Sequence, residues 1–228
     1  FVKRNGEWII PGNLEDDLFR LKEMDWIVEA VVENLDIKQK LWEKVEQNWT
    51  EGTIVSSNTS GVSINKMIEG RSEAFRRHFL GTHFFNPPRY MKLLEIIPGN
   101  DTDENVLSFM KRFGERVLGK GVVVAKDTPN FIANRIGTYG LLITFEEMKK
   151  EGFSVEEVDA MTGTVIGRPK SATFRTLDMV GIDTFVHVAA NVHKNVADEQ
   201  EKAAFVVPET MSKMVEKRWL GDKTGQGF

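Results

Sequence analysis

The chain has 228 residues, of which 41% are hydrophobic and 28% charged, with a net charge of -4 and no cysteine. That is enough for one large domain or two modest ones with their own cores. It excludes a disulfide framework and thiolate catalysis, and it leaves no basic surplus to neutralise a phosphate backbone, so nucleic acid is not an expected partner. The Val122–Val124 and Leu141–Ile143 runs are broken within a few positions by polar residues, so no membrane span is expected. Neither is a metal, and cytoplasm is the default compartment.

From Trp8 to about Val124, short apolar runs alternate with amphipathic stretches, the pattern of a parallel sheet with crossover helices. The spacing predicts strands at Trp8–Ile10, Trp26–Val32, Thr53–Ser57, Leu80–Phe85, Leu93–Ile97 and Val122–Ala125. Between the second and third, Ile37, Leu41, Val45 and Trp49 recur four apart and predict the buried face of a helix. Lys38, Lys44 and Glu46 fall on its other face, with Asp36 as N-cap. Asp103–Leu118 predicts a second helix that buries Val106, Phe109, Met110, Phe113 and Val117 and ends at Gly119.

Past Val124 the strand signals stop. Thr128–Lys150 reads as a long helix, and Ser154-Val-Glu-Glu157 as a capping box that opens the next. Leu177–Asn195 and Glu209–Trp219 continue the helical pattern, with Pro208 placed before the last one. The pattern predicts an α/β domain over 1–126 and an all-helical domain over 127–228, with no linker and no internal repeat. Val155, Val158, Met161, Val186, Val188 and Val192 supply more apolar helix faces than one small domain needs, which predicts a homodimer through the helical half. The chain opens on Phe1 and stops on Phe228 directly after Lys-Thr-Gly-Gln-Gly, so both ends read as cuts. A targeting signal would lie upstream of Phe1.

The most informative stretch is Gly81-Thr-His-Phe-Phe-Asn-Pro-Pro-Arg-Tyr-Met-Lys-Leu-Leu-Glu95. A strand over Leu80–Phe85 that turns at Asn86-Pro-Pro and returns through Leu93 brings the Glu95 carboxylate back beside the His83 imidazole. Such a pair suits alcohol oxidation: a neutral imidazole accepts the hydroxyl proton as the carbon gives up hydride, while the carboxylate fixes the tautomer and stabilises the imidazolium. Spacing alone is weak evidence, because a lone histidine at a strand end is more often an ordinary hydrogen-bonded residue. His78, His187 and His193 carry no such signal.

His-Phe-Phe-Asn-Pro followed by Met-x-Leu-x-Glu resembles the catalytic segment of 3-hydroxyacyl-CoA dehydrogenases. Three further segments resemble that family in order: Ser57-Asn-Thr-Ser60, Lys126-Asp-Thr-Pro-Asn-Phe-Ile-Ala-Asn-Arg135 and Lys223-Thr-Gly-Gln-Gly-Phe228. The resemblance implies an incomplete Rossmann-type domain followed by a helical domain, NAD as cofactor and a (3S)-3-hydroxyacyl-CoA as substrate in fatty-acid β-oxidation. It implies His83 as base, Glu95 as its partner, and Ser60 and Asn134 as polar contacts to the reacting substrate. Glu33, Lys38, Ser60, Asn86 and Lys223 are implied as cofactor contacts. Read without the family, Ser60 is a turn former, Asn134 a helix cap or buried amide, and Glu33 and Lys38 solvated charges at a helix start.

The sequence departs from the family pattern in two places. No Gly-x-Gly-x-x-Gly occurs, so the first βαβ unit with its phosphate-binding turn is expected to be absent and the chain alone to bind NAD weakly and turn over little. Gly167-Arg-Pro-Lys-Ser-Ala-Thr-Phe-Arg-Thr-Leu-Asp178 stands where short single-function members show Met-Gly-Pro, and it is closer to large β-oxidation proteins fused to an enoyl-CoA hydratase module. Two rivals remain at this stage: a sugar-acid or crystallin-like dehydrogenase acting on a free hydroxy acid, and a non-catalytic dimerisation or scaffold piece of a fused protein.

Overall fold

The structure, a computed structural model, describes residues 3–228. The chain divides into two compact units, one ending at Asp127 and the other starting at Thr128.

The first unit is built on a five-stranded sheet in the order β1 (Trp26–Glu29), β2 (Ile54–Ser57), β3 (Phe79–Phe84), β4 (Leu93–Pro98) and β5 (Gly121–Val124). β1, β2 and β3 run parallel, β4 is antiparallel to β3, and β5 is parallel to β4. Helices α1 (Leu35–Gln47), α2 (Ile64–Met67), α3 (Glu73–Arg77) and α4 (Glu104–Arg116) make the connections. The β2 and β3 strands bury nearly every residue, as expected of strands covered on both faces. Two apolar layers result. Trp42 from α1 meets Phe79 edge-on at 4.9 Å, with Phe75 of α3 beside it. Val106 and Met110 of α4 pack with Ile54, Leu80, Leu94 and Ile96. Gly114 lets α4 approach the sheet closely, since a methyl there would meet Val122 and Leu94.

Several expectations need correction. Trp8–Ile10 is not a strand: Lys3–Trp8 forms a 3₁₀ helix, and Trp8, Ile9 and Ile10 are all more than 70% exposed. A three-residue apolar run stopped by Pro11 is too short to hold a place in the sheet. The strand from Trp26 ends at Glu29, short of Val32. Asn34, not Asp36, caps α1, accepting from the Ile37 N–H. The buried face of α1 is Lys38, Trp42 and Val45, while Ile37 is exposed, so the helix is turned one residue from the expected face. Trp42 brings more apolar area than Ile37, and Lys38 is drawn in by buried carboxylates described below. On α4, Phe109 and Val117 are exposed. Asp103 caps that helix, and Gly119 adopts the positive φ of a stop.

The second unit is all helical: α5 (Ala133–Glu151), α6 (Val155–Thr162), α7 (Phe174–Val180), α8 (Ile182–Asn195), α9 (Glu199–Ala203) and α10 (Glu209–Glu216). The Ser154–Glu157 capping box forms with both of its hydrogen bonds. The long helix starts at Ala133 rather than Thr128, and the stretch predicted over Leu177–Asn195 breaks into two helices at Gly181, where φ is +97°. Of the apolar positions assigned to a dimer interface, Val158 and Val192 are buried in this unit's own core, and Val155 and Val186 pack against it. The core needs them because Phe145, Phe174, Leu177, Ile182 and Phe205 converge there.

Candidate active site

Parallel α/β sheets present their ligand sites beyond the carboxyl ends of the strands. At those ends stand Glu29 and Glu33 after β1, the Ser57–Ser60 turn after β2, and His83 near the end of β3. His83 lies directly across from Glu95 in the antiparallel β3–β4 register, so the two side chains leave the sheet on one face. The imidazole Nδ1 is 2.7 Å from Glu95 Oε2, with the side chains 4% and 1% exposed. Phe85 packs beside the ring, with centroids 4.4 Å apart. A buried carboxylate on Nδ1 orients the ring and fixes which nitrogen carries the proton. A cavity of 550 Å³ lined by Glu51, Glu73, Arg77, His78 and Asp103 opens at the other end of β3, away from His83.

The Ser57–Ser60 turn is held one residue at a time. The Ser57 hydroxyl donates to Glu29 Oε2. The Asn58 N–H donates to the Glu29 carbonyl at 2.7 Å, and its side-chain oxygen accepts from the Phe84 N–H at 2.9 Å, which ties this turn to the residue after His83. The Thr59 hydroxyl and the Ser60 N–H both donate to Glu33 Oε1, at 2.6 and 2.8 Å, with the Gly61 N–H at 3.1 Å. The Ser60 backbone is thereby fixed, while its hydroxyl takes no part in the clamp. Burial would raise the Glu33 pKa, but the Thr59 hydrogen bond, the Lys38 charge and the Ser60 N–H overcome that and hold the carboxyl below its ordinary range. Asp127 grips the segment just downstream, accepting from the Ser63 hydroxyl, the Ile64 and Asn65 N–H groups and the Asn65 amide at 2.7 to 3.0 Å.

Lys38 is fully buried. Its ammonium is 2.7 Å from Glu29 Oε1 and 3.3 Å from Glu33 Oε2, and it also donates to the Val31 carbonyl. Asn86 is exposed in the loop after β3. Asn134 and Lys223 belong to the second unit. Asn134 is half-buried in the first turn of α5, whose N-cap is Ile132, so it is not the helix cap. Lys223 pairs with Asp183 and holds that carboxyl below its ordinary range. Around Lys223 the chain makes a tight turn: Gly221 bridges Gln226, the Phe228 N–H donates to Asp178, and the Arg175 guanidinium holds Asp222.

Sequence reasoning missed Glu29, Asn58 and Asp127. Glu29 had a readable signal. In a strand that points Ile27 inward and Val28 outward, the next inward position carries a charge.

Residues 3–128 match the model of the 3-hydroxyacyl-CoA dehydrogenase NAD binding domain, and residues 131–228 match that of the C-terminal domain of the same enzyme. The chain belongs to the 3-hydroxyacyl-CoA dehydrogenase family. It is 64% identical over 99% of its length to a probable 3-hydroxyacyl-CoA dehydrogenase of Bacillus subtilis, of which it covers 28%. It is 32% identical over 97% of its length to a putative fatty acid oxidation complex trifunctional enzyme of Rickettsia felis, of which it covers 31%. Among solved structures, a (S)-3-hydroxybutyryl-CoA dehydrogenase from Ralstonia eutropha matches with a TM-score of 0.83 and 31% identity, covering 92% of this chain and 71% of that one. The chain thus spans less than two thirds of the length of the curated relatives it matches, from 28% to 65%. Its Rossmann-like NAD-binding sheet unit and helical unit follow the architecture of this family. In Lys126-Asp-Thr-Pro-Asn-Phe131, Asn130 stands where the family motif has glycine. Its φ of +59° is left-handed, which asparagine tolerates best after glycine, and its side chain accepts from Asn191 at 2.8 Å.

NAD fits the donor set in part. Carboxylate, hydroxyl and amide groups gather at the carboxyl ends of β1, β2 and β3, a set that suits ribose hydroxyls and a carboxamide. The β1–α1 connection, Ala30-Val-Val-Glu-Asn34, contains no glycine and does not offer a pyrophosphate cradle.

Proposed function

We propose that this chain carries the proton-handling site for NAD-dependent oxidation of a (3S)-3-hydroxyacyl-CoA to the 3-oxoacyl-CoA in fatty-acid β-oxidation. The observation that carries the reading is the buried His83–Glu95 pair at the carboxyl end of the sheet, with the Ser60 turn tied to the residue after His83. The Nδ1–H donates to Glu95, so Nε2 holds the lone pair that takes the substrate's hydroxyl proton, and the carboxylate stabilises the imidazolium that results. Bound NAD would supply the hydride acceptor. Ser60 and Asn134 would orient the 3-oxygen and the thioester carbonyl, and Glu33, Ser60, Asn86 and Lys223 would contact the nicotinamide half, with Lys38 acting through Glu33.

The test is a substrate panel with the full-length protein: 3-hydroxyacyl-CoA esters of graded length against free hydroxy acids and sugar acids, with and without His83→Gln. CoA esters should be the substrates, and His83→Gln should lower kcat by a factor on the order of 10² to 10⁴ with KM little changed. Turnover of free acids alone, or a near-normal His83→Gln enzyme, would refute the reading.

Two further proposals concern the whole protein. Ile132, Ile136 and Tyr139 form an exposed apolar stripe along the start of α5 and support a homodimer through the helical unit; sedimentation as a concentration-independent monomer would remove it. An enoyl-CoA hydratase module on the same polypeptide would make the 3-hydroxyacyl-CoA consumed here. The length of the Bacillus and Rickettsia relatives supports it, and hydratase activity co-purifying with the dehydrogenase tests it.

A further inference from the structure

We infer that Glu29 is a positioning residue, a buried anion that through Lys38 and Ser57 sets both the Glu33 carboxylate and the Ser60 turn for the cofactor; the inference rests on the proposed NAD role of those two groups. Glu29 closes β1 at 4% exposure, where strand alternation calls for an apolar side chain. Its oxygens are fully engaged. Oε1 accepts from the Lys38 ammonium at 2.7 Å and from the Val31 N–H at 2.6 Å, and Oε2 accepts from the Ser57 hydroxyl. Lys38 donates to Glu29 Oε1 and to the Val31 carbonyl and forms an ion pair with Glu33 Oε2 at 3.3 Å, with no part of the side chain exposed.

Lys38 therefore offers no exposed atom to a ligand in this arrangement. What it does is hold one oxygen of Glu33, and that leaves the other to Thr59, Ser60 and Gly61. Glu29 grips the β2 end through Ser57 at the same time. One buried carboxylate thus sets the relative position of two strand ends, β1 with Glu33 and β2 with Ser60. Stability alone is a poor reason to keep such a pair, because apolar residues of like volume in place of a buried ion pair are commonly neutral or stabilising. A fully satisfied polar network instead fixes one geometry where an apolar contact would accept several.

The experiment uses the full-length protein with Glu29→Gln, Glu29→Leu/Lys38→Met, Glu33→Gln and the triple variant Glu29→Leu/Lys38→Met/Glu33→Gln. NADH affinity is read by fluorescence well below the melting temperature, and KM is measured separately for NAD and for the acyl-CoA. The apolar double variant leaves no unpaired buried charge, so it keeps the test decisive even where Glu29→Gln fails to fold. It should fold, weaken NADH binding about tenfold, the equivalent of one lost hydrogen-bonding arrangement, and raise KM for NAD more than KM for the acyl-CoA. The triple variant should be weaker than Glu33→Gln by less than the double variant's own loss, because part of that loss runs through the Glu33 carboxylate and the rest through Ser57 and the Ser60 turn. NADH affinity within about twofold of the parent in a folded double variant would overturn the inference. So would full additivity with Glu33→Gln, or a double variant that does not fold, which would make the pair a matter of stability. A parent protein that binds NADH but oxidises no 3-hydroxyacyl-CoA would refute the proposed reaction and leave this binding test intact.

Discussion

Replacing Glu95 by glutamine separates the charge of the buried pair from its shape. The amide oxygen of Gln can accept the same hydrogen bond from His83 Nδ1, so ring position and tautomer are kept while the negative charge is lost. Both side chains are sealed from water, at 4% and 1% exposure, so solvent screening takes little away. For charge centres about 4 Å apart and an effective dielectric of about 20, the attraction between carboxylate and imidazolium is about 4 kcal/mol. At roughly 1.4 kcal/mol per decade that corresponds to a factor near 10³. The proton is only partly transferred in the transition state, so Glu95→Gln should lower kcat by a factor on the order of 10² to 10³ and leave both KM values within about twofold. NADH formation followed by absorbance gives kcat, single-turnover mixing separates chemistry from product release, and a thermal melt checks the fold. A folded variant with kcat within about threefold of the parent would show that the carboxylate charge does not serve the base. A loss carried by KM instead would place Glu95 in binding.

Asp127→Ala removes the acceptor for four donors around Ser63–Asn65 and should lower the unfolding free energy by about 2 kcal/mol in denaturant titration, while Asp127→Asn should recover part of it. The Glu33 pKa is lower folded than unfolded, so its stabilising effect is complete above the ordinary glutamate value of 4.5 and fades as pH falls through the folded value; a stability–pH curve for Glu33→Gln should run flatter than the parent's below that point, and parallel curves would refute it. Gly221→Ala should destabilise the helical unit by more than about 2 kcal/mol, because φ is +89° and a methyl there runs into the Asp178 backbone; an unchanged melting temperature would show that the Lys223 turn tolerates rearrangement.

Elements whose apolar pattern is long or bounded by a strong stop were legible from sequence. β2, β3 and β4 fell where the apolar runs did, the Ser154 capping box formed, and the Asn86-Pro-Pro turn returned Glu95 to the position opposite His83. Period-2 strands joined through a short connection leave few registers that keep Leu80, Leu94 and Ile96 buried together. The errors came where tertiary partners outweighed pattern. A helix face is ambiguous by one residue when Ile37 and Lys38 adjoin, and it was decided by Trp42 and by Glu29, a carboxylate on another element. Of the apolar helix positions that look surplus in one dimension, Val155, Val158, Val186 and Val192 join the core built by the converging phenylalanines, while Met161 stays exposed. Trp8–Ile10 had the composition of a strand but not the length.

The four motifs that mark the family differ in what they ask of each residue, and the structure separates those demands. In Ser57-Asn-Thr-Ser60, three side chains and two backbone N–H groups are spent on Glu29, Phe84 and Glu33, so most of the motif serves to hold one hydroxyl in place. Lys126-Asp-Thr-Pro-Asn-Phe contributes Asp127 to the same stretch of chain and then demands two successive left-handed residues, Asn130 and Phe131. A bulky residue with positive φ is costly, and here it is fixed by the 2% exposure of Phe131 and by the Asn191 hydrogen bond to Asn130. The Lys223-Thr-Gly-Gln-Gly-Phe228 turn closes on Asp178 and Arg175, and its terminal Phe228 meets Phe174 at 4.8 Å. The His83–Glu95 pair faces across the strand register, and its geometry could be worked out from spacing. Chemistry carried by a strand pair can be read from the chain, whereas chemistry carried by a turn depends on which distant carboxylate holds that turn.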